Sequence, residues 1–226
     1  MDPLTWGLLL ALGVWAALDG VSVGQVMVSR PLVTATLTGL ILGDPGTGLL
    51  LGVFLEVVHL GGIPAGAARL PEPGPAAIPA TTAAVLLGGA GGLALGAAAG
   101  MLLAVLGGWT VVWQRRWQGR LVASVTVEGT PAEAVSRALL MALTLDVLRG
   151  AILVGGGTLL VASVPLAWVH AWPIPLRDTY GVLFVLAALP AGSLLNGLPL
   201  KGERRWSLVA AGLAVGAGVA LWGILT

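Results

Sequence analysis

Residues 30–68 read RPLVTATLTGLILGDPGTGLLLGVFLEVVHLGGIPAGAA. Two apolar half-segments, residues 31–43 and 47–63, flank the break Gly43-Asp44-Pro45-Gly46, and one carboxylate, Glu56, sits inside the second. Lipid offers no hydrogen-bond partner to freed backbone groups, so a broken helix survives in a bilayer only where protein or a water-filled cavity covers the break. An ionisable residue inside a membrane segment marks a functional site by default. The two features together predict a polar site within the membrane and suggest a transporter.

Composition carries the membrane assignment outward to the whole chain. Its 226 residues are 57% hydrophobic and 9% charged, against about 25% charged in an ordinary soluble domain. Mean hydropathy is +0.98. The net charge of +1 gives no footprint for nucleic acid. Cysteine is absent, which removes disulfides, thiol nucleophiles and cysteine metal sites. Residues 1–17 begin Met-Asp-Pro with no basic lead, so they read as a retained first membrane segment and not as a signal peptide.

A spanning helix needs about 20 apolar residues. Residues 4–18 form the first candidate, followed by a polar-tinged junction over 20–30. Residues 64–79 (PAGAARLPEPGPAAIP) read as a linker, because their five prolines cannot share one regular helix. Residues 80–113 suit two helices hinged at the glycines of 88–92. Arg115, Arg116 and Arg120, beside Trp113 and Trp117, mark a cytoplasmic interface. Thr130-Pro131-Ala132-Glu133 opens a helix by capping chemistry, and that helix is expected to lie partly at the interface. Spans follow at 151–169, 179–195 and 207–225, with Lys201, Arg204 and Arg205 as a second basic loop. Pairs of small residues, Gly39/Gly43 and Gly48/Gly52 above all, suit close helix packing. The expected fold is all-α: a polytopic integral membrane protein with broken or re-entrant helices.

Glu56 and His59 stand three apart on one helical face. A di-iron site would need a second such motif and two further glutamates, so no metal is expected. Either the two hydrogen-bond each other or a neighbour, or Glu56 accepts hydrogen bonds from a polar solute. Asp44 suits a cap on the helix that follows the turn Gly43, Asp44, Pro45, Gly46. Gln25 and Ser29 have the pairing chemistry of a sugar site, while Arg30 reads more simply as a snorkelling interface residue. Asp146 and Arg149, one turn apart, suit mutual neutralisation. Glu72 is either solvated or re-entrant. No phosphate loop or Ser-His-Asp set is visible, so the chain shows no catalytic groups of its own and no cofactor is expected.

The set Arg30-Pro31-Leu32, Leu42-Gly43-Asp44, Thr47-Gly48, Leu55-Glu56, Leu60-Gly61 and Gly66-Ala67-Ala68 resembles the membrane subunit IIC of the mannose/fructose/sorbose family of sugar phosphotransferase systems. The strong match covers about residues 18–83, and a weaker one runs from the 133–149 helix to 178–197. The resemblance implies one transmembrane domain over 1–226, with broken helices and a Pro-rich linker in 1–114 and further helices in 115–226. It implies a multi-pass subunit of the bacterial inner membrane that takes a sugar substrate. Its partners would be subunit IID in the bilayer and cytoplasmic IIA and IIB, from which phosphate arrives. By motif position Glu56 matches the family's intramembrane glutamate and Glu72 an acid after a linker proline, with Gln25 near a family glutamine. The implied substrate-binding set is Glu56, Gln25, Glu72, Ser29 and His59. Pro64 stands where mannose-type members carry Asn, which argues against mannose as the substrate. The alternative is a scaffold or sensor derived from such a subunit that has lost transport.

Overall fold

The computed structural model describes residues 1–60, 69–123, 125, 131–197, 207 and 210. Among these there is no strand. The helices are α1 (Pro3–Val21), α2 (Pro31–Leu42), α3 (Pro45–His59), α4 (Pro73–Leu87), α5 (Gly89–Ala123), α6 (Ala132–Ala162), α7 (Leu166–His170) and α8 (Leu176–Gly197). The expectations for residues 61–68, for Thr130, for Lys201, Arg204 and Arg205 and for the 207–225 span fall outside the described residues, apart from the helical positions 207 and 210.

Helix starts follow local chemistry. Asp2 caps α1 by accepting the Thr5 N–H at 2.9 Å, and Pro3 fills the first turn, where no N–H is required. Hydrogen bonds from Thr5, its hydroxyl first, hold the Asp2 carboxyl below the usual carboxylate range. Asp44 does the same for α3: its Oδ1 accepts the Thr47 N–H at 3.0 Å and its Oδ2 the Thr47 hydroxyl at 2.6 Å. One residue earlier Gly43 ends α2 at a φ of 84°, a left-handed conformation that glycine adopts without strain.

With 12 and 15 residues, α2 and α3 reach only about 18 and 22 Å at 1.5 Å per residue. Neither crosses a hydrocarbon core of about 30 Å. They fold back on each other as a re-entrant hairpin. A Cβ on Gly39 would stand 3.0 Å from the Gly48 Cα, and one on Gly52 would stand 2.9 Å from the Leu32 Cα. The close approach therefore rests on Gly39, Gly48 and Gly52, while Gly43 serves the turn.

The Pro-rich stretch is a correction to the linker reading. From Pro73 onward it is helix, and α4 holds three of the five prolines. Pro73 and Pro75 fall in the first turn, whose N–H groups have no partner within a helix in any case. Only Pro79 is interior, and it packs beneath α6, where a Cβ on Gly157 would meet its ring at 3.2 Å. Residues 74–84 are all buried, so α4 is the axis of the bundle, with α1, α2, α3, α5 and α6 around it. Its small residues permit that crowding. Ala80 approaches Gly96 and Gly100 of α5, and Leu51, Leu55, Ala77 and Leu93 fill the core on that side.

The chain turns at Gly88 into α5, whose 35 residues run on through Arg115, Arg116 and Arg120. Its partner α6 is a single helix of 31 residues. This corrects the expected division into an interfacial helix and a separate span. It begins at Ala132 with Pro131 as the cap residue and measures about 46 Å, enough to cross the bilayer with a turn or more to spare. The leading residues Glu133 and Arg137 are exposed, whereas Asp146 and Arg149 are buried. Those two do not neutralise each other. Arg149 reaches the Glu72 carboxylate through both terminal nitrogens, Nη2 to Oε1 at 2.9 Å and Nη1 to Oε2. Both side chains are buried, 8% and 11% exposed. Glu72 also donates its N–H to the Ala104 carbonyl at 2.8 Å, which pins the entry of α4 to α5.

The Glu72–Arg149 clamp generates a sharp expectation. Removing one partner of a buried ion pair strands the other charge, at a cost of about 3–5 kcal/mol, while replacing both with apolar groups costs far less. Arg149→Leu and Glu72→Leu should each lower the thermal midpoint of the detergent-solubilised protein markedly. The double variant should recover much of the loss, and simply additive losses would show that no clamp exists.

Topology is equally testable. The positive-inside rule predicts a cytoplasmic side for Arg115, Arg116 and Arg120, and two crossings between the basic clusters would put Lys201, Arg204 and Arg205 there too. Gly119 has open space where a Cβ would go, and the chain has no native cysteine. Gly119→Cys and Gly202→Cys should both resist an impermeant thiol reagent in intact cells and react once the cells are opened. Labelling at Gly119 alone in intact cells would require an odd number of crossings.

Candidate functional site

Glu56 lies on the last turns of α3, and the hairpin brings it back to the start of α2. Arg30, the residue before that helix, places its Nε 3.1 Å from Glu56 Oε1. The Leu32 N–H donates to Oε2 at 3.4 Å. Leu32 contributes one of the free N–H groups at the start of α2, where the helix dipole also favours a negative charge. Arg30 is therefore not a snorkelling residue but the counter-charge of Glu56. The pairing is open at one end, with the Arg30 side chain 58% exposed and Glu56 16%.

Beside the pair is a cavity of about 140 Å³ lined by Arg30, Pro31, Glu56, His59, Leu60 and Pro73. His59 does not bond Glu56. Its Nδ1 donates to the Leu55 carbonyl at 2.8 Å, which leaves Nε2 as an acceptor in the neutral ring. The cavity thus offers a carboxylate, a guanidinium and an imidazole nitrogen on one side and a proline ring on the other. A carboxylate has about four acceptor positions. Arg30 and Leu32 use two of them, so Glu56 retains capacity for hydroxyl donors.

Gln25, Ser29 and Glu72 do not line this cavity. Gln25 is exposed on the loop between α1 and α2, at a φ of 52°. Ser29 immediately precedes Arg30 and gives its N–H to Asp19 at 2.8 Å. Glu72 adjoins Pro73 but turns its carboxylate to Arg149 on the far side. The structure therefore unites Glu56 and His59, sets Ser29 one residue from their cation, and leaves Gln25 and Glu72 apart.

Sequence reasoning missed Asp19 and gave Asp146 the wrong partner. Asp146, 1% exposed, accepts hydrogen bonds from the Ser22 hydroxyl, from Gln114 Nε2 and from Gln118 Nε2, the last at 3.3 Å. This cluster ties α6 to the end of α1 and to α5. Asp19, 2% exposed, accepts the N–H groups of Val26 and Ser29 at 2.6 and 2.8 Å. Its signal was the same as that of Glu56, a lone acid closing an apolar run (LLLALGVWAALD). A larger groove of about 810 Å³ runs between α5 and α6 past Trp109, Trp113 and Trp117. Its walls are almost wholly apolar, and Gln114 and Arg149 at its edge are engaged with Asp146 and Glu72. It has the character of a lipid-facing surface.

Comparison with known proteins places this geometry. The sequence profile described as "PTS system sorbose-specific IIC component" matches residues 5–179. A segment of 61 residues is 39% identical to the PTS system sorbose-specific EIIC component of Lacticaseibacillus casei, over 26% of this chain and 22% of that protein. The component of the same name from Klebsiella pneumoniae is 36% identical over 66 residues, 28% of this chain and 25% of that one. The fructose permease IIC component of Bacillus subtilis (strain 168) is 42% identical over 59 residues, 25% of this chain and 22% of that one. The matched segments thus take in only about a quarter of these relatives' length. Two solved structures share the fold at 22% identity. One, described only as a membrane protein, superposes with a TM-score of 0.71 over 100% of this chain and 97% of its own. The other, the mannose transporter ManYZ in complex with microcin E492, does so at 0.62 over 100% and 96%. The hairpin bearing Glu56, and helices α1 to α7 with it, fall within the profile match, and the chain belongs to the family of PTS sorbose-specific IIC components.

Proposed function

We propose that this chain is a sugar-binding and translocating IIC subunit of a mannose-family, phosphoenolpyruvate-dependent phosphotransferase system in the bacterial inner membrane. It acts with a IID subunit in the bilayer and with cytoplasmic IIA and IIB. The observation that carries this reading is the Glu56 carboxylate, held by Arg30 against a small cavity inside a re-entrant hairpin. Sugar hydroxyls both donate and accept. Glu56 and His59 Nε2 suit their donors, and the guanidinium of Arg30 suits their acceptors. Gln25 and Ser29 lie outside the cavity lining, on the loop that leads to Arg30. Glu72 serves through its pairing with Arg149 at the entry of α4. The names of the sorbose and fructose relatives support a sugar as the ligand.

Cavity size argues for the partner. Ligand sites commonly enclose about 300–1,000 Å³, and the Glu56 cavity has about 140 Å³. One chain supplies part of a sugar site, and IID supplies the facing wall. No phosphoryl-transfer group is assigned to this chain, so phosphorylation takes place on the sugar as IIB presents its phosphate. Movement of the short α2–α3 hairpin against the long α5–α6 pair gives access to one side and then the other.

Membranes holding this chain should take up and phosphorylate sugar when IID, IIA, IIB and phosphoenolpyruvate are supplied, and should not do so without IID. Assembly with IID but no uptake would favour the scaffold or sensor. Glu56→Gln keeps the size and one acceptor but removes the charge. Hydrogen bonds to a charged group contribute about 1.5–3 kcal/mol, so sugar affinity in the inserted variant should fall by roughly 10- to 100-fold. Unchanged affinity would remove Glu56 from the site.

A further inference from the structure

We propose that Asp19 is a positioning residue for the Glu56 cavity: it holds the loop between α1 and α2 in the one shape that delivers Arg30 to Glu56. The proposal rests on the sugar-site reading for its affinity test but not for its structural test.

The loop over residues 22–30 is unusual in its backbone. Gln25 and Met27 have φ values of 52° and 67°, and Gly24 one of 104°. For residues with side chains such conformations are strained and persist only where the surroundings impose them. Asp19 is what imposes them here. It lies in the last turn of α1, 2% exposed. Its Oδ1 accepts the Val26 N–H at 2.6 Å and its Oδ2 the Ser29 N–H at 2.8 Å. Both oxygens are spent on the backbone of one loop. Charge-assisted bonds of this kind are about twice as strong as neutral ones.

What the loop delivers is the site. Ser29 is followed by Arg30, the cation on Glu56, and by Pro31, a wall of the cavity. The Ser29 backbone also sits directly over Gly74, where any Cβ would collide with the Ser29 carbonyl. Gly74 follows Pro73, another residue of the cavity lining. Asp19 therefore sets the position of two walls through one loop. The hydrogen bonds it accepts explain why a buried acid closes α1 beside a segment that reads as a plain junction.

The test uses membranes that contain the complex of this chain with IID, supplied with IIA, IIB and phosphoenolpyruvate, with labelled sorbose, fructose and mannose as probes. Asp19→Asn keeps the size and one carbonyl acceptor but sets an NH2 group against one of the two N–H donors. It should raise the KM for whichever sugar is taken up by roughly tenfold, with the maximal rate within about twofold, because a misplaced contact group weakens binding before it alters the moving parts. A second readout needs no sugar. Val26→Cys, at a position 62% exposed, places a single thiol on the loop, and the reaction rate of that thiol should rise severalfold when Asp19→Asn is added. If Asp19→Asn does not insert, Gly24→Ala strains the same latch from the loop side. Its Cβ would stand 3.2 Å from Asp19 Oδ1 at a φ that side chains rarely adopt, and it should reproduce both effects. An unchanged thiol rate overturns the proposal, as does a faster rate with an unchanged KM. If Glu56→Gln leaves sugar affinity intact, the sugar-site reading fails, and the thiol rate still decides whether Asp19 holds the loop.

Discussion

Hydrocarbon solvates no backbone amide and no charge, and the architecture answers to that. A membrane chain that stops its helices early must find a partner inside the protein for each freed N–H, C=O and carboxylate. This chain stops early several times. At the end of α2 Asp44 takes up donors of the next helix, and at the end of α1 Asp19 takes up two amides of the loop. Where the chain enters α4, the Glu72 N–H finds the Ala104 carbonyl, while its carboxylate finds Arg149. These three acids stand at interruptions of the fold, whereas Glu56 and Asp146 lie within helices.

The same constraint explains why α4 is built from alanine, threonine, glycine and proline. A helix buried on every side has no room for long side chains, and close approach replaces the hydrophobic effect as the source of packing energy within lipid. The threonine hydroxyls cause no conflict where they turn back on their own helix, as Thr82 does to the Ile78 carbonyl at 2.8 Å. Proline is tolerated in the first turn because no N–H is due there, and the interior Pro79 packs against Gly157 of α6. Composition that would break a soluble helix is here compatible with the most buried helix described.

Much of this was legible in the sequence because the strongest signals are local. The Gly-Asp-Pro-Gly break has its own turn chemistry, so the hairpin of α2 and α3 could be read from residues 31–63 alone. The glycine break near Gly88 is of the same kind. What was illegible depends on who meets whom. Arg30 and Glu56 stand 26 residues apart in sequence, Glu72 and Arg149 stand 77 apart, and no periodicity encodes either encounter. The spacing of Asp146 and Arg149 suggested a local pair, yet each is turned to a different helix. The prolines after residue 70 were misread because the rule against them assumes a solvated helix interior, whereas two of the three in α4 fall where no hydrogen bond was due.

The distribution of partners also singles out Glu56. Asp19 and Asp146 are 2% and 1% exposed, and their oxygens are occupied by amides, a hydroxyl and carboxamides. Glu72 is matched in both oxygens by one guanidinium. Those three acids serve the fold. Glu56 has one close partner, and that partner is itself more than half exposed. An exposed ion pair contributes little, about 0–1 kcal/mol, so such an arrangement does little for stability on its own. It does leave a carboxylate in place, beside Arg30 and open to a cavity. A group held in lipid at a cost, with a weak partner and spare acceptor positions, is one whose partnership can be completed by something that arrives.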